Sequence, residues 1–396
     1  MPMTHSNAGG RPFWLLPLVV AFAIRAAGAW VSHAEPLVDV DSFFRWAKHL
    51  EGGINPYSTT DAPANYPPLW LYICWGCLKV AQEVGCSFDL VMKLFVSACD
   101  AATVIPVGLL ALRRGEGETA GRAAALAYAL NPVSILIAAF HAQNDPLVIG
   151  LAIWCMWLVT ARPFVLAGEL GFGLLGASLA IKPIGVLFLP LVLAQISGWQ
   201  RRARLFAIAG LPLLLTAIPF LFSTPVAFVR AAATYRGPPD FGYIGIFNSW
   251  MNLGHGSSGD PIIEQLHWSM RLFYLPVFLF IWWRLRRFSL IDQAQAVVLS
   301  LFLFYGTLGA QYLMWLIPFA AARRDPRLPR ISILTAIALV AFYQLNHPGI
   351  LSGVSTVRWQ TGIVLPQWSG IFLVSHFFLY VQWLLCLHEV ESLRWR

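Results

Sequence analysis

The sequence predicts an all-α, polytopic membrane helical bundle, and three observations carry that prediction. Hydrophobic residues make up 58% of the 396 positions and charged residues only 12%, where a water-soluble chain carries about 25% charged residues. Apolar segments of near-span length recur throughout, separated by short polar breaks. The arginines gather in clusters rather than scattering. An ordinary soluble protein is thereby excluded. The net charge of +8 then records topology, because Lys and Arg are held in cytoplasmic loops, and nucleic acid is not an expected partner. Cys74 and Cys77 form a C-x-x-C inside an apolar helix with no second pair, and the nine histidines show no metal-ligand spacing. Neither a metal site nor a cofactor is expected. The N-terminal residues run into the first apolar segment without a small-residue cleavage pattern, so that segment is expected to remain as an anchor.

In chain order the apolar segments are 13–31, 67–84, 90–112, 120–140, 146–160, 164–180, 184–196, 205–222, 267–283, 290–308, 312–322, 331–345 and 368–387. Several fall short of the ~20 residues of a full span, which predicts tilted, kinked or half-length helices. Arg-rich stretches stand at 113–114, 162, 201–204, 284–287, 323–330 and 394–396, and Arg11 precedes the first segment. If 67–84 crossed the membrane, Arg113 and Arg114 would fall outside and the alternation would fail from there on. If it lies along the outer surface instead, every arginine cluster is cytoplasmic, both termini are cytoplasmic and the chain crosses about 12 times. Trp70, Tyr72 and Trp75 suit a headgroup boundary, whereas Lys79, Gln82 and Glu83 would be costly in hydrocarbon, so 67–84 is expected to be an interfacial helix.

The same parity puts Asp39 and Asp41, the stretch 141–145, Lys182, the 223–264 region, Gln311 and the 346–367 region on the outer face. The expected organisation is one membrane-embedded unit over 1–396, with a first extracytoplasmic loop at 32–89 carrying surface helices and a second long one at 223–266. One-sided polarity reads as an active site open to the extracytoplasmic side of a cell (inner) membrane.

Asp39 and Asp41 precede Phe43 and Trp46 in what looks like the start of a short surface helix. A carboxylate at a cavity mouth can take the proton of an attacking hydroxyl, worth roughly 10²–10⁴ in rate. Alternatively, Asp41 or Ser42 caps that helix. His141, Gln143, Asn144 and Asp145 form a polar knot between two apolar helices, with Asp145 before Pro146 also placed to cap. Lys182 ends one helix, is fixed by Pro183 and has apolar sequence on both sides, where a lysine needs a partner. Within the predicted spans, Arg25 and Asp100 are expected to pair as a salt bridge between helices.

Asp39 and Asp41, then Glu51-Gly52-Gly53-Ile54-Asn55-Pro56-Tyr57, then Asn65-Tyr66-Pro67-Pro68-Leu69-Trp70, resemble the first extracytoplasmic loop of GT-C fold glycosyltransferases, most closely the polyprenyl-phosphate-mannose-dependent mannosyltransferase branch. The likeness continues through Asn131-Pro132, the 141–145 knot, Ile181-Lys182-Pro183 with Pro190, and Gln311-Tyr312-Leu313-Met314-Trp315 with Pro318. The resemblance implies a polyprenyl-phosphate-linked sugar donor, a lipid or glycan acceptor, and a metal-independent inverting transfer. It also implies a catalytic Asp near the end of the first helix, for which Asp39 is the better match. One departure is Asn65: a related glucosyltransferase branch has an Asp before its Tyr-Pro-Pro, so that acid is missing here or its place is taken by Asp61 or Asp41.

The chemistry asks for the same groups. A sugar on a phosphate has a good leaving group, so the transfer needs cationic charge to hold the departing phosphate and a base for the acceptor hydroxyl. Lys182 and Arg236, the latter in the long outer loop, are the candidate phosphate contacts. Candidates for sugar or acceptor binding are Tyr66, His141, Gln143, Asn144, Asp145 and Gln311, the last at the start of a predicted half-helix whose free N–H groups would face the cavity. Two rival readings remain. A transporter or lipid flippase would show two related halves and ionisable groups near the midplane. A GT-C-type ligase would use a diphosphate-linked glycan.

Overall fold

The computed structural model describes residues 12–34, 38–60, 63–160, 165–234, 240–245, 261–346, 351 and 366–392. It is built from helices: α1 (Leu15–Ser32), α2 (Val38–Glu51), α3 (Pro68–Val84), α4 (Phe88–Ala102), α5 (Val104–Ala111), α6 (Gly117–Ala129), α7 (Pro132–Ile135), α8 (Asp145–Thr160), α9 (Val165–Ile181), α10 (Leu189–Ala194), α11 (Trp199–Ser223), α12 (Pro225–Thr234), α13 (Pro261–Leu285), α14 (Leu290–Phe304), α15 (Ile317–Arg323), α16 (Leu328–Asn346) and α17 (Pro366–Ser392). Among the described residues the only strand-like pairing is an antiparallel bridge between Phe241 and Leu308.

Among the described residues, five helical stretches are long and apolar enough to cross a membrane: Leu15–Ser32, Phe88–Gly115, Trp199–Ser223, Leu328–Asn346 and Gly370–His388. A sixth crossing arises if Gly117–Ala129 and Pro132–His141, bent by 44°, form one broken span. The protein is therefore multi-pass. The stretches predicted at 146–160, 164–180, 184–196 and 290–308 are helices too short for a full crossing by length alone.

Local sequence sets the boundaries. Ser87 accepts the Leu90 N–H and starts α4, while α3 begins with Pro68 and ends on Gly85 in the left-handed conformation, the helix-stop arrangement glycine favours. Asn131 accepts the Val133 N–H and Pro132 follows it, so the segment predicted as one apolar run at 120–140 breaks there. Beyond α7 the chain widens into π-type turns over Leu136–His141, a form that recurs at functional sites.

Two apolar cores result. The larger holds Tyr128, Phe172, Phe302 and Tyr343 in the helical bundle. The smaller is aromatic: Phe43 and Trp46 of α2 pack on Tyr66 and Trp70, and Ala138, Ala142 and Ile181 join them from the bundle. The helix predicted to lie along the membrane surface is thus a platform for α2. Lys79 and Gln82 of α3 both donate to Glu51 at the end of α2, at 2.7 and 2.9 Å, so these polar residues serve an intramolecular clamp. Arg25 and Asp100 pair at 2.5 Å with neither side chain exposed, as expected of two charges placed within predicted spans. Cys74 and Cys77 are free thiols buried in α3.

Candidate active site

The site lies where the aromatic platform meets the bundle. Helix α2 starts earlier than expected, at Val38, so Asp39 and Asp41 both sit in its first turn and neither position expected to cap it, Asp41 or Ser42, precedes it. A helix places residues two apart on different faces, and the two carboxylates part company accordingly. Asp39 turns toward the bundle, where its Oδ2 accepts from Gln143 Nε2 at 2.5 Å and lies 3.1 Å from His141 Nε2. Asp41 pairs with Arg45 one turn on, at 2.6 Å, with both side chains about half exposed (47% and 48%).

His141 is held from behind by the Tyr343 hydroxyl, 2.8 Å from its Nδ1. Nε2 thus faces Asp39 while Nδ1 is hydrogen-bonded to Tyr343, so the ring is held between the two. Between His141 and Gln143 stands Ala142, with φ 59° and ψ 34°. A non-glycine residue in this region is strained by about 1–3 kcal/mol, and here the reversal lets the side chains on both sides of Ala142 reach one carboxylate.

Burial alone would push the Asp39 carboxyl up. The hydrogen bond and charge of His141, the Gln143 amide and the more distant charge of Lys182 outweigh it, and the group is held below the ordinary carboxylate value of 3.8. Asp39 is therefore ionised at neutral pH. Its side chain keeps 46% of its surface open, and among the described residues both hydrogen bonds fall on Oδ2, which leaves Oδ1 to accept.

Asp145 does not cap α8. Its carboxylate receives Lys182 Nζ on both oxygens, at 3.0 and 2.8 Å, and the Trp315 indole N–H at 2.6 Å. Lys182 is boxed by the rings of Tyr312, Tyr66 and Trp315, at 4.7, 5.4 and 5.9 Å from their centres, and is 2% exposed. A cation in such a box gains from the ring faces, but its charge is already offset by Asp145. Lys182 thus presents no free ammonium to a phosphate.

Asn144, between the two anchored residues, is fully buried, and among the described residues neither polar atom of its amide has a partner, nor does Gln143 Oε1. Buried amides are rarely left so. The predicted half-helix at Gln311 is instead a tight 3-10 stretch, Ala310–Leu316, leading into α15. Gln311 folds back on Gly309, where a Cβ would lie 2.8 Å from its Oε1, and the same stretch supplies Tyr312 and Trp315. Arg236 and Asp61 lie outside the described residues. The loop expected over 223–266 contains α12, and α13 begins within it at Pro261.

Sequence reasoning passed over Tyr343, which sits in an apolar run and reads there as a core aromatic, and Trp315, whose indole N–H is invisible until Asp145 is placed beneath it. It also gave no role to Asp240. Asp240 borders the Phe241–Leu308 bridge, receives the Ala310 N–H, and is pushed up to about 7 by burial and by the negative charge of Asp39.

The fold has known counterparts. The structure is similar to the crystal structure of ArnT from Cupriavidus metallidurans bound to undecaprenyl phosphate, with a TM-score of 0.54 and 16% identity, covering 96% of this chain and 71% of that one. Apo ArnT from the same organism gives 0.53 and 14%, over 96% and 76%. The fold is that of a GT-C glycosyltransferase. Within that class, residues 13–198 match the family model described as Alpha-(1->6)-mannopyranosyltransferase, N-terminal domain, and the protein is a membrane glycosyltransferase resembling those mannosyltransferases. No curated protein matches the chain.

Proposed function

We propose that the protein transfers one hexose, mannose, from a polyprenyl-phosphate carrier to the hydroxyl of a lipid or glycan acceptor, with inversion, at the extracytoplasmic face of the membrane. The observation that carries this reading is Asp39: a half-open carboxylate, kept ionised by His141 and Gln143, in a fold shared with a protein solved with undecaprenyl phosphate bound. The acceptor hydroxyl donates to Asp39 Oδ1 and its oxygen attacks the anomeric carbon from the side opposite the phosphate. The C–O bond to the phosphate breaks as the new glycosidic bond forms, and the hydroxyl proton passes to Asp39. Asn144 and Gln143 Oε1 meet sugar hydroxyls. Lys182 acts on the site through its field and through the rings it orders, and Arg236 is assigned the direct phosphate contact.

The matched mannosyltransferase model favours mannose over other hexoses. The one-sided distribution of polar side chains and of arginines in the sequence supports the extracytoplasmic placement, both termini in the cytoplasm and a single catalytic unit over the whole chain. The test is incubation of the purified protein with radiolabelled polyprenyl-phosphate-mannose and a membrane lipid extract. Label should move to an acceptor with wild type and fall by about 10²–10⁴ with Asp39→Asn. Label that stays on the carrier with both proteins, in the presence of the full extract, would defeat the reading.

A further inference from the structure

The stretch that carries His141 and Gln143 to Asp39 is seated on α1, and the seat is fastened by a buried cation that the mechanism above does not employ. Arg25, Gly28 and Ser32 follow one another at helical spacing, on one face of α1, and all three are buried. Each meets the chain between Ala129 and Phe140. Arg25 Nη1 donates to the Ala129 carbonyl at 2.8 Å and Nη2 to the Ser134 hydroxyl at 2.7 Å, while the Ser32 hydroxyl donates to the Ala139 carbonyl at 3.2 Å. Between them Gly28 leaves room for the chain, since a Cβ there would lie 2.9 Å from the Phe140 ring and 3.0 Å from the Ala139 Cβ. Ala139 and Phe140 are the two residues that lead directly into His141.

Ser32 is the last residue of α1, and Lys93 of α4 closes that helix end. Lys93 is wholly buried. Its Nζ donates to the Ser32 carbonyl at 2.6 Å and to the Ser32 hydroxyl oxygen at 3.1 Å, and lies 3.2 Å from the Asp89 carboxylate one turn earlier. A hydroxyl has one proton to give. With Nζ donating to its oxygen, the Ser32 hydroxyl turns that proton away from the lysine, and the Ala139 carbonyl receives it. A buried ammonium is a costly way to finish a helix, where a glycine in the left-handed conformation would serve, as Gly85 does for α3. What the lysine adds is direction for the hydroxyl. Around Asp39 itself stand His141 and Gln143, the more distant charge of Lys182, and Tyr343 and Asp240 within electrostatic range.

Resting on the reading of Asp39 as the base, we propose that Lys93 is a positioning residue of the reaction. By orienting the Ser32 hydroxyl it fixes the Ala139 carbonyl, and with it the reversal at Ala142 that brings His141 and Gln143 onto one oxygen of Asp39. The route runs from Lys93 Nζ to Ser32 Oγ, from Ser32 Oγ to the Ala139 carbonyl, and then along the backbone to His141. When it is cut, the turn loses a support and His141 and Gln143 drift from Asp39. Burial, which alone would raise the Asp39 carboxyl, is then opposed less, so Asp39 becomes harder to ionise.

Two measurements on the purified full-length protein test this, with the unfolding temperature recorded alongside. Ser32→Ala is the discriminating variant, because it cuts the route without removing a charge. Lys93→Met with Asp89→Leu approaches from the other end and leaves no buried charge unpaired. The first measurement needs no substrate: an infrared titration of the carboxyl band that is absent in Asp39→Asn. That carboxyl should ionise below 3.8 in wild type and at higher pH in both variants. The second is mannose transfer from polyprenyl-phosphate-mannose at neutral pH. In Ser32→Ala kcat should fall by about 2- to 10-fold, the range that loss of one hydrogen bond gives, with KM for the donor within about 2-fold of wild type. A clasp that only holds helices together would lower the unfolding temperature and leave both readouts in place. An Asp39 titration that stays put in both variants overturns the assignment, and so does wild-type kcat in both. If wild type transfers no mannose, the donor reading fails by itself, and the infrared titration alone decides whether Lys93 positions Asp39.

Discussion

Two clusters of buried charge in this protein are built from similar parts and differ in how completely they are closed. In the bundle, Arg25 spends its guanidinium on the Asp100 carboxylate, the Ser134 hydroxyl at 2.7 Å and the backbone carbonyls of Ala129 and Ala21 at 2.8 and 3.1 Å, while Tyr128 and Ser134 donate to Asp100. Both charged side chains are wholly buried and fully occupied. At the Asp39 site the anchors are equally well made, with Lys182 on Asp145 and His141 on Tyr343, yet Asp39 keeps half its surface open and Asn144 keeps its whole amide unspent. A closed network holds helices together; an open one holds side chains ready for something that is not protein.

The largest way to break the comparison is to open the closed cluster. Arg25→Met strands Asp100 without its counter-charge, and removal of one partner from a buried pair costs about 3–5 kcal/mol. The expected outcome is a clear drop in the thermal unfolding temperature of the detergent-solubilised protein. Arg25→Met with Asp100→Leu should recover most of the loss, because no buried charge is then left unpaired. Lys182→Met should behave differently. It strands the buried Asp145 with the Trp315 N–H as its remaining donor, so stability falls by an amount comparable to Arg25→Met, but the aromatic box also loses its occupant and transfer falls as well. Equal losses of stability with no change in transfer would place Lys182 with the closed cluster.

A smaller change sharpens the contrast. Tyr343→Phe removes one hydrogen bond to His141 Nδ1, a net contribution of about 0.5–1.5 kcal/mol. Freed of that partner, the imidazole can turn, and transfer should fall by about 2- to 10-fold with the unfolding temperature nearly unchanged. A large shift in unfolding temperature would mean that the hydroxyl serves packing rather than the orientation of His141.

The legible part of this protein was whatever charge and periodicity dictate. Apolar runs located nearly every helix, Arg25 and Asp100 announced a buried pair by sitting within predicted spans, and the stretch from His141 to Asp145 declared itself by holding more hydrogen-bonding side chains than a cap requires. Helix breaks were less visible: the turn at Asn131 and Pro132 lies inside a run that hydropathy reads as continuous, and the 3-10 stretch at Ala310–Leu316 overlaps one that reads as a half-helix. Pairings across the fold were hidden altogether. Nothing in sequence says that Lys182 spends its charge on Asp145 rather than on a ligand, or that Asp240, from a loop roughly two hundred residues downstream, comes to lie within electrostatic range of Asp39. Such facts belong to the three-dimensional meeting of segments, and hydropathy carries no record of them.

Asp39 and Asp41 make the smallest test, because they are the same residue type two positions apart on one helix. The sequence offered both as bases, and the motif alone leaves the choice open. The structure separates them by environment: one faces His141 and Gln143, the other an arginine one turn along an open surface. A solvent-exposed pair at this spacing contributes about 0.3–0.5 kcal/mol to a helix. Asp41→Asn should therefore leave the transfer rate within about 2-fold of wild type, the change in rate that such an energy would give if it were all felt in the reaction. A loss approaching that of Asp39→Asn would show that the solvent-facing side of α2 belongs to the catalytic surface. The acceptor would then have to lie along α2 rather than above its first turn.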